Sequence, residues 1–329
     1  MELSPFLIIF VATALLFDFL NGFHDSANTV ATMISSRAMG PPAALALNAV
    51  ANFVGPFLFG VAVATTIGHE VIAEEAATMT VVLSALGGAI VWNLLTWLLG
   101  IPSSSSHALV GGLIGAAATA YGFEAILLPG LTKILLTMLI SPIVGMLSGY
   151  LLMKLTLFLA RGATPRINVF FKRAQMVTAT ALALSHGTND AQKTMGIITM
   201  GLLAGGALSR FIIPIWVIAA CAGAIALGTA LGGWRIIRTL GGKFYKVRPV
   251  HSFASQIASA GVILGAALIG GPVSTTHVVS TAILGVGAAE RVSKVRWGVV
   301  GQIVVAWLLT IPASALLAAA SYLVIAKIV

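Results

Sequence analysis

The chain has 329 residues, of which 59% are apolar and only 8% charged, and its mean hydropathy is +1.05. A soluble domain carries about 25% charged residues, so a water-solvated globule of this size is excluded. Basic residues outnumber acidic ones 18 to 9, a net charge of +9. They form no clustered basic face interleaved with aromatics, so no nucleic-acid partner is expected and the excess reads as membrane orientation.

A chain that spans lipid must satisfy its backbone internally, and the alternating pattern of a transmembrane barrel is absent here, which leaves an all-α polytopic membrane protein with the bilayer as its solvent. The N-terminus MELSPFLIIF carries Glu2 in place of a basic n-region and no small-residue cleavage site, so it reads as a retained first helix, not a signal peptide. A span needs about 20 apolar residues. Punctuation by proline, glycine and charge gives segments at 3–36, 41–67, 78–100, 102–121 and 130–160, the first of them long and interrupted by polar residues. The polar, basic linker ATPRINVFFKR follows at 163–173. The second half then gives 174–203, 211–233, 250–270, 272–289 and 297–326. The lone Cys221 excludes an intramolecular disulfide and any cysteine-based zinc site.

Five segments answer five, and the agreement extends to particular residues. NGFHDSANT at 21–29 aligns with HGTNDAQKT at 186–194, matching Gly22 with Gly187, Asp25 with Asp190 and Thr29 with Thr194. IPSSSSHALVGGLIG at 101–115 aligns with GPVSTTHVVSTAILG at 271–285, matching Pro102, a hydroxyl cluster, His107 and Gly115 with Pro272, a second cluster, His277 and Gly285. Chance likeness between apolar stretches preserves leucine and alanine, not proline, hydroxyls and histidine in order. The chain is therefore expected to be an internal duplication, residues 1–162 and 174–329 joined by the linker.

Loop charge predicts the topology. The segments 68–77 and 122–129 carry Glu70, Glu74, Glu75 and Glu124 and no basic residue, whereas thirteen of the 18 basic residues fall at or near the other loops. The positive-inside rule makes those loops cytoplasmic and puts both termini outside the plasma (inner) membrane. An odd number of crossings per half inverts the second copy against the first, the inverted-topology repeat of secondary transporters. Each half is expected to hold a broken helix at its Asp-bearing signature. The pairs 78–100 with 102–121 and 250–270 with 272–289 are expected to be re-entrant hairpins, because lipid would penalise their polar tips and a protein-lined cavity would not.

Ionisable residues at membrane depth are functional candidates because each costs about 2.5 to 3.5 kcal/mol to insert. Asp25 and Asp190 hold equivalent places, flanked by Asn21, His24 and Asn28 in one copy and by His186, Asn189, Gln192 and Lys193 in the other. Carboxylates, amide oxygens and the carbonyls of a broken helix suit a cation site on the repeat axis; the alternative is a buried, hydrogen-bonded pair that only locks helices. Unduplicated Asp18 favours that second role. The clusters Ser103, Ser104, Ser105, Ser106 and Ser274, Thr275, Thr276 each follow a proline and open a helix. Free amides, hydroxyl donors and the dipole make such a tip an anion site, while capping and close packing are the plainer use. His107 and His277, and His186 with them, are candidate proton relays or satisfied core histidines. Gly111 with Gly115, Gly145 with Gly149 and Gly261 with Gly265 read as packing positions, and His69 and His251 as loop residues. With no GxxxxGK[ST] sequence the chain carries no nucleotide motor. An intramembrane serine hydrolase needs one activated serine, and duplicated clusters argue for transport instead, not an enzyme.

At these residues, GFHDSANT at 22–29, GTNDAQKT at 187–194, PSSSSH and PVSTTH, the chain resembles the inorganic phosphate transporter (PiT) family, bacterial members included, over essentially its whole length. The resemblance implies a symporter that couples phosphate uptake to a cation gradient, usually as a homodimer and without a covalent cofactor. It assigns Asp25, Asn28, Asn189 and Asp190 to the coupling cation, sodium or proton, and the hydroxyl tips to phosphate or a metal–phosphate complex. The chain departs from the pattern at His24, where many members have Asn, and at Gln192 and Lys193, where sodium-coupled members often have Ala and Asn. Lys193 follows Asp190 by three residues, so on a helix the two can pair; a tethered ammonium in place of a sodium favours proton coupling. A permease for sulfate or another tetrahedral oxyanion is the alternative on the same scaffold.

Overall fold

The computed structural model describes residues 4–328. Residues 1–3 and 329, which include the first residue of the predicted first span and the outer ends of both predicted halves, lie outside them. The first half comprises α1 (Pro5–Ser35), α2 (Pro41–Leu58), α3 (Ala62–His69), α4 (Met79–Leu99), α5 (Ser105–Tyr121) and α6 (Leu128–Leu159). The second comprises α7 (Ile167–Ala204), α8 (Ile215–Leu231), α9 (Trp234–Gly242), α10 (Pro249–Leu268), α11 (Thr275–Glu290) and α12 (Trp297–Ile325). Local signals set the ends. Ser4 caps α1 by accepting from Leu7 N at 3.2 Å ahead of Pro5, and Thr78 does the same for α4. Gly100 and Gly270, at matching places in the two halves, take left-handed φ values of 67° and 72° to end α4 and α10 before the prolines.

Among the described residues six helices are long and apolar enough to cross a membrane, α1, α2, α4, α6, α10 and α12, and the bent pair α8–α9 makes a seventh. Their outward faces carry exposed apolar side chains such as Leu139, Ile143 and Leu147 on α6 and Leu308 and Leu316 on α12, as a lipid-facing surface requires.

Several predicted features need correction. α1 and α7 run unbroken through both signatures, so no broken-helix carbonyl faces the aspartates there. The breaks fall in the next segment of each half. The predicted span 41–67 divides at Gly60 into α2 and α3, and α8 turns by 70° into α9. The linker predicted at 163–173 ends early, because α7 begins at Ile167. The basic stretch after residue 233 is α9, whose buried Ile236, Ile237 and Leu240 anchor one face while Arg235 and Arg238 stay exposed; its apolar spacing was hidden among the charges. His251 lies in α10, buried beside Glu290 at 3.2 Å, and His69 ends α3 with its ring against Phe211.

Packing interleaves the halves. α1 packs on α8 and α2 on α7; α5 packs on α12 and α11 on α6; α1 meets α9 as α7 meets α3. Gly22 and Gly187, equivalent in the two signatures, allow the first of these approaches. A Cβ on Gly22 would lie 2.2 Å from Ile225 O, and one on Gly187 2.4 Å from Asn52 O. Of the three small-residue pairs, Gly111 with Gly115 meets α12 and Gly145 with Gly149 meets α11, but Gly261 and Gly265 face open space. That last pair lines an apolar groove of about 950 Å³ between α6 and α10 and packs on no other helix among the described residues.

Candidate functional site

Both signatures are helical, yet every residue from Asp25 to Ala31 and from Ser185 to Leu202 is buried, because α1 and α7 are packed on several sides by other helices. Polar side chains there have no water to turn to and must find protein partners or a ligand. The two hairpins α4–α5 and α10–α11 supply them. Each comes to a proline-led extended tip and restarts at a serine cap, with Ser104 accepting from His107 N and Ser274 from His277 N, both at 3.2 Å.

The tips and signatures meet in one cluster. Asp25 Oδ1 accepts from His24 Nδ1 at 2.8 Å and from Thr276 Oγ1 at 3.1 Å. Asp190 Oδ2 accepts from Thr275 Oγ1 at 3.0 Å and lies 3.2 Å from His186 Nε2, while its Oδ1 is paired with the Lys193 ammonium. Thr275 Oγ1 is also 3.3 Å from Asp25 Oδ2, so one hydroxyl hydrogen stands between two carboxylates. Ligand atoms of Asp25, His186 and Asp190 all fall within 4.8 Å of one another. Lys193 completes its shell with Ser106 Oγ at 2.5 Å and Val273 O at 3.0 Å. Asn28, which aligns with it in the first signature, donates to Thr276 Oγ1 at 3.0 Å, and Thr276 aligns with Ser106. The two halves thus make the same crossed contact, once with an amide and once with an ammonium.

Not every predicted residue faces this centre. Ser105 does, donating to Asn21 Oδ1 at 2.6 Å. Ser103 is turned back onto Thr96 Oγ1 at 2.7 Å, and Ser104 and Ser274 are spent on their caps, Ser104 also pairing with His107 Nδ1 at 2.7 Å. Gln192 bridges the α2–α3 break instead, accepting from Val63 N and donating to Gly60 O, both at 2.8 Å. Ser26 does the equivalent at the α8–α9 break by accepting from Gly233 N at 2.7 Å. Asn189 donates to Gly271 O at 3.3 Å, and the side-chain oxygens of both Asn28 and Asn189 have no donor partner among the described residues. His107 and His277 lie side by side with ring centroids 4.5 Å apart and planes tilted by 35°, and His277 stacks on Trp307 at 3.8 Å. Asp18 is buried with no hydrogen bond on either oxygen among the described residues, its carboxyl facing the Thr194 hydroxyl of α7.

Some members of the site carried no sequence signal. Trp307 donates to Pro102 O at 3.0 Å and so holds the first tip. Asn52 pairs with His186 Nδ1 and donates to Thr229 Oγ1, both at 3.0 Å. All three lie in apolar spans outside the duplicated motifs; only the cost of a buried amide marks Asn52.

Residues 21–318 match the phosphate transporter family. A probable low-affinity inorganic phosphate transporter of Rhizobium meliloti (strain 1021) is 47% identical over 320 residues, 97% of this chain and 96% of the relative. One so described from Bacillus subtilis (strain 168) is 46% identical over 322 residues, 97% and 96% of the two chains. A solved structure titled the sodium-dependent phosphate transporter superposes with a TM-score of 0.89 at 25% identity, covering 99% of this chain and 100% of that one. A family of transporters leaves no place for the serine hydrolase. The chain is an integral membrane protein and belongs to the phosphate transporter family.

Proposed function

We propose that the chain imports inorganic phosphate as a secondary symporter driven by protons, with both termini outside the plasma membrane. The observation that carries this reading is the convergence of Asp25, Asp190 and both hydroxyl tips in one buried cluster; the relatives' descriptions supply the substrate. The matched packing of the halves supports an inverted repeat of 1–162 and 174–329 about that cluster. Tips that reach Asp25 and Asp190 in the interior are what re-entrant hairpins α4–α5 and α10–α11 require.

In this state Thr275 and Thr276 spend their hydroxyl hydrogens on carboxylates, and Ser105 spends its own on Asn21. When a cation or proton neutralises Asp25 and Asp190, the two threonine hydrogens are released. They and Ser105 then turn, with the free amides at the starts of α5 and α11, toward a tetrahedral anion. Cation loading thereby builds the phosphate site, which is the coupling a symporter needs. The unpartnered oxygens of Asn28 and Asn189, with the two carboxylates, are suitable hard ligands for sodium. Lys193 argues for protons, because its ammonium already occupies the acceptors around Asp190. His24 and His186, each against a carboxylate, and the His107–His277 pair are the proton relays of this scheme.

Labelled phosphate uptake into proteoliposomes, with pH and sodium gradients imposed separately, tests the reading. A pH gradient alone is expected to drive accumulation, and sodium alone to drive none; uptake that needs sodium and ignores pH would refute the proton assignment. Arsenate is expected to compete and sulfate not to; strong competition by sulfate would favour the oxyanion permease.

A further inference from the structure

Asp18 sits near the middle of α1, fully buried, with no hydrogen-bond partner on either carboxylate oxygen. It precedes Asp25 by seven residues, which on a helix is two turns, about 10 Å, along the same face. The Thr194 hydroxyl on α7 faces it and has itself no hydrogen-bond partner among the described residues. The ionisable groups facing it are Lys193 and Asp190 on α7 and the buried Cys221 thiol on α8. α2 and α4, which also pack on α1, bring no titratable residue. α9 and α10 meet α1 near its far end, around Ala31 and Thr32, and α11 meets it at Asp25 and Asn28.

An ionised carboxylate in this place would have two bare oxygens in a water-free interior, which proteins tolerate only with donors or a counter-ion in contact. Lys193, the one cation facing it among the described residues, is held by Asp190, Ser106 and Val273. The carboxyl therefore carries a proton in this state. We propose that Asp18 is a proton-binding site of the transport cycle, neutral in the conformation seen here and ionised in another, where Lys193 turns from Asp190 to Asp18. The step is a simple protonation, one proton bound by the carboxylate or released from it. This inference rests on the proton-symport reading above.

Infrared spectra of the purified, gradient-free protein read the proton directly. Wild type minus Asp18→Asn is expected to show the carbonyl band of a protonated carboxylic acid, shifted in heavy water and restored at a new position in Asp18→Glu. Absence of the band would overturn the proposal. In proteoliposomes at a fixed pH gradient, Asp18→Asn is expected to move one proton fewer per phosphate, so that its steady accumulation falls about tenfold per unit of pH gradient, the concentration ratio one proton delivers. Exchange of labelled for unlabelled phosphate, which needs no net proton movement, is expected to persist. Accumulation at the wild-type ratio in monodisperse Asp18→Asn would overturn the coupling role. If the wild type itself ignored the pH gradient, proton symport would fall and the coupling role with it, while the infrared band would still decide the protonation of Asp18.

Discussion

Replacing Lys193 by Asn gives the second signature the residue type that its counterpart Asn28 supplies in the first. The lysine is 2% exposed, and its ammonium meets Asp190, Ser106 Oγ and Val273 O. Removing one partner of a buried ion pair costs about 3 to 5 kcal/mol, because the other charge is left uncompensated. At about 1.4 kcal/mol per decade, a sodium-free Lys193→Asn protein is expected to transport at least 100-fold more slowly than wild type under the same pH gradient. Asn offers an amide oxygen beside Asp190, so sodium is expected to restore part of the rate. Lys193→Met, without that oxygen, is expected to stay inactive with or without sodium. The assay is the initial rate of labelled phosphate uptake against sodium concentration, with the thermal unfolding midpoint of each variant to separate loss of fold from loss of coupling. Sodium-free uptake by Lys193→Asn within threefold of wild type would refute the argument that the ammonium stands in for a bound cation.

Asp25→Asn and Asp190→Asn are each expected to abolish accumulation while leaving a monodisperse protein; near wild-type uptake in either would remove the carboxylates from the coupling site. Ser105→Ala combined with Thr275→Ala is expected to raise the KM for phosphate more than it lowers kcat. Ser104→Ala, which removes a helix cap, is expected instead to cost about 1 kcal/mol of stability, read as a lower unfolding midpoint with little change in KM. Gly187→Ala would drive a Cβ to 2.4 Å from Asn52 O, a backbone atom that cannot step aside, at a cost toward the upper end of about 1 to 3 kcal/mol. Gly223→Ala, with nothing within 4 Å, is the neutral control for the same measurement.

The Asp-bearing signatures and proline-led tips were legible because each motif recurs in order in the other half of the sequence, a recurrence that packing alone does not select. The two elements flanking each tip were legible for the same reason, since Gly100 and Gly270 punctuate both halves identically. The helix break at Gly60 was not. Polar residues in a span read as an interruption, yet α1 and α7 absorb theirs without a break because cross-helix partners satisfy them, as Thr276 does for Asn28 and Ser106 for Lys193. The break at Gly60 lies in apolar surroundings and is held by Gln192 from a distant helix, a tertiary cause no local pattern reveals, whereas the one at Gly233, held by Ser26, falls at the expected end of segment 211–233, and what went unread there is the helix α9 beyond it. Likewise four consecutive serines look equivalent in sequence, and only the backbone at the start of α5 divides them into a tether, a cap and two residues that face the centre.

The departure from symmetry at Lys193 also bears on stoichiometry. With Asp25 and Asp190 ionised, Lys193 charged and Asp18 neutral, the empty cluster carries one negative charge. A monovalent phosphate raises that to two, and in a buried site such an excess has to be cancelled. Two added protons leave the loaded cluster neutral, and with the proton that Asp18 exchanges in the cycle at least one net positive charge moves inward. The membrane potential sets the same requirement independently. It supplies about 2.3 kcal/mol per charge per 100 mV, so it opposes entry of a bare anion and favours uptake only when monovalent phosphate travels with two cations or divalent phosphate with three. An Asn in place of Lys193 adds a further negative charge to the empty cluster, and the loaded cluster then needs a third cation for the same phosphate. Lys193→Asn is thus expected to change the number of cations moved per phosphate as well as their identity. Reversal potentials measured in proteoliposomes under opposed phosphate and pH gradients read that number, and an unchanged value in Lys193→Asn would refute the charge balance.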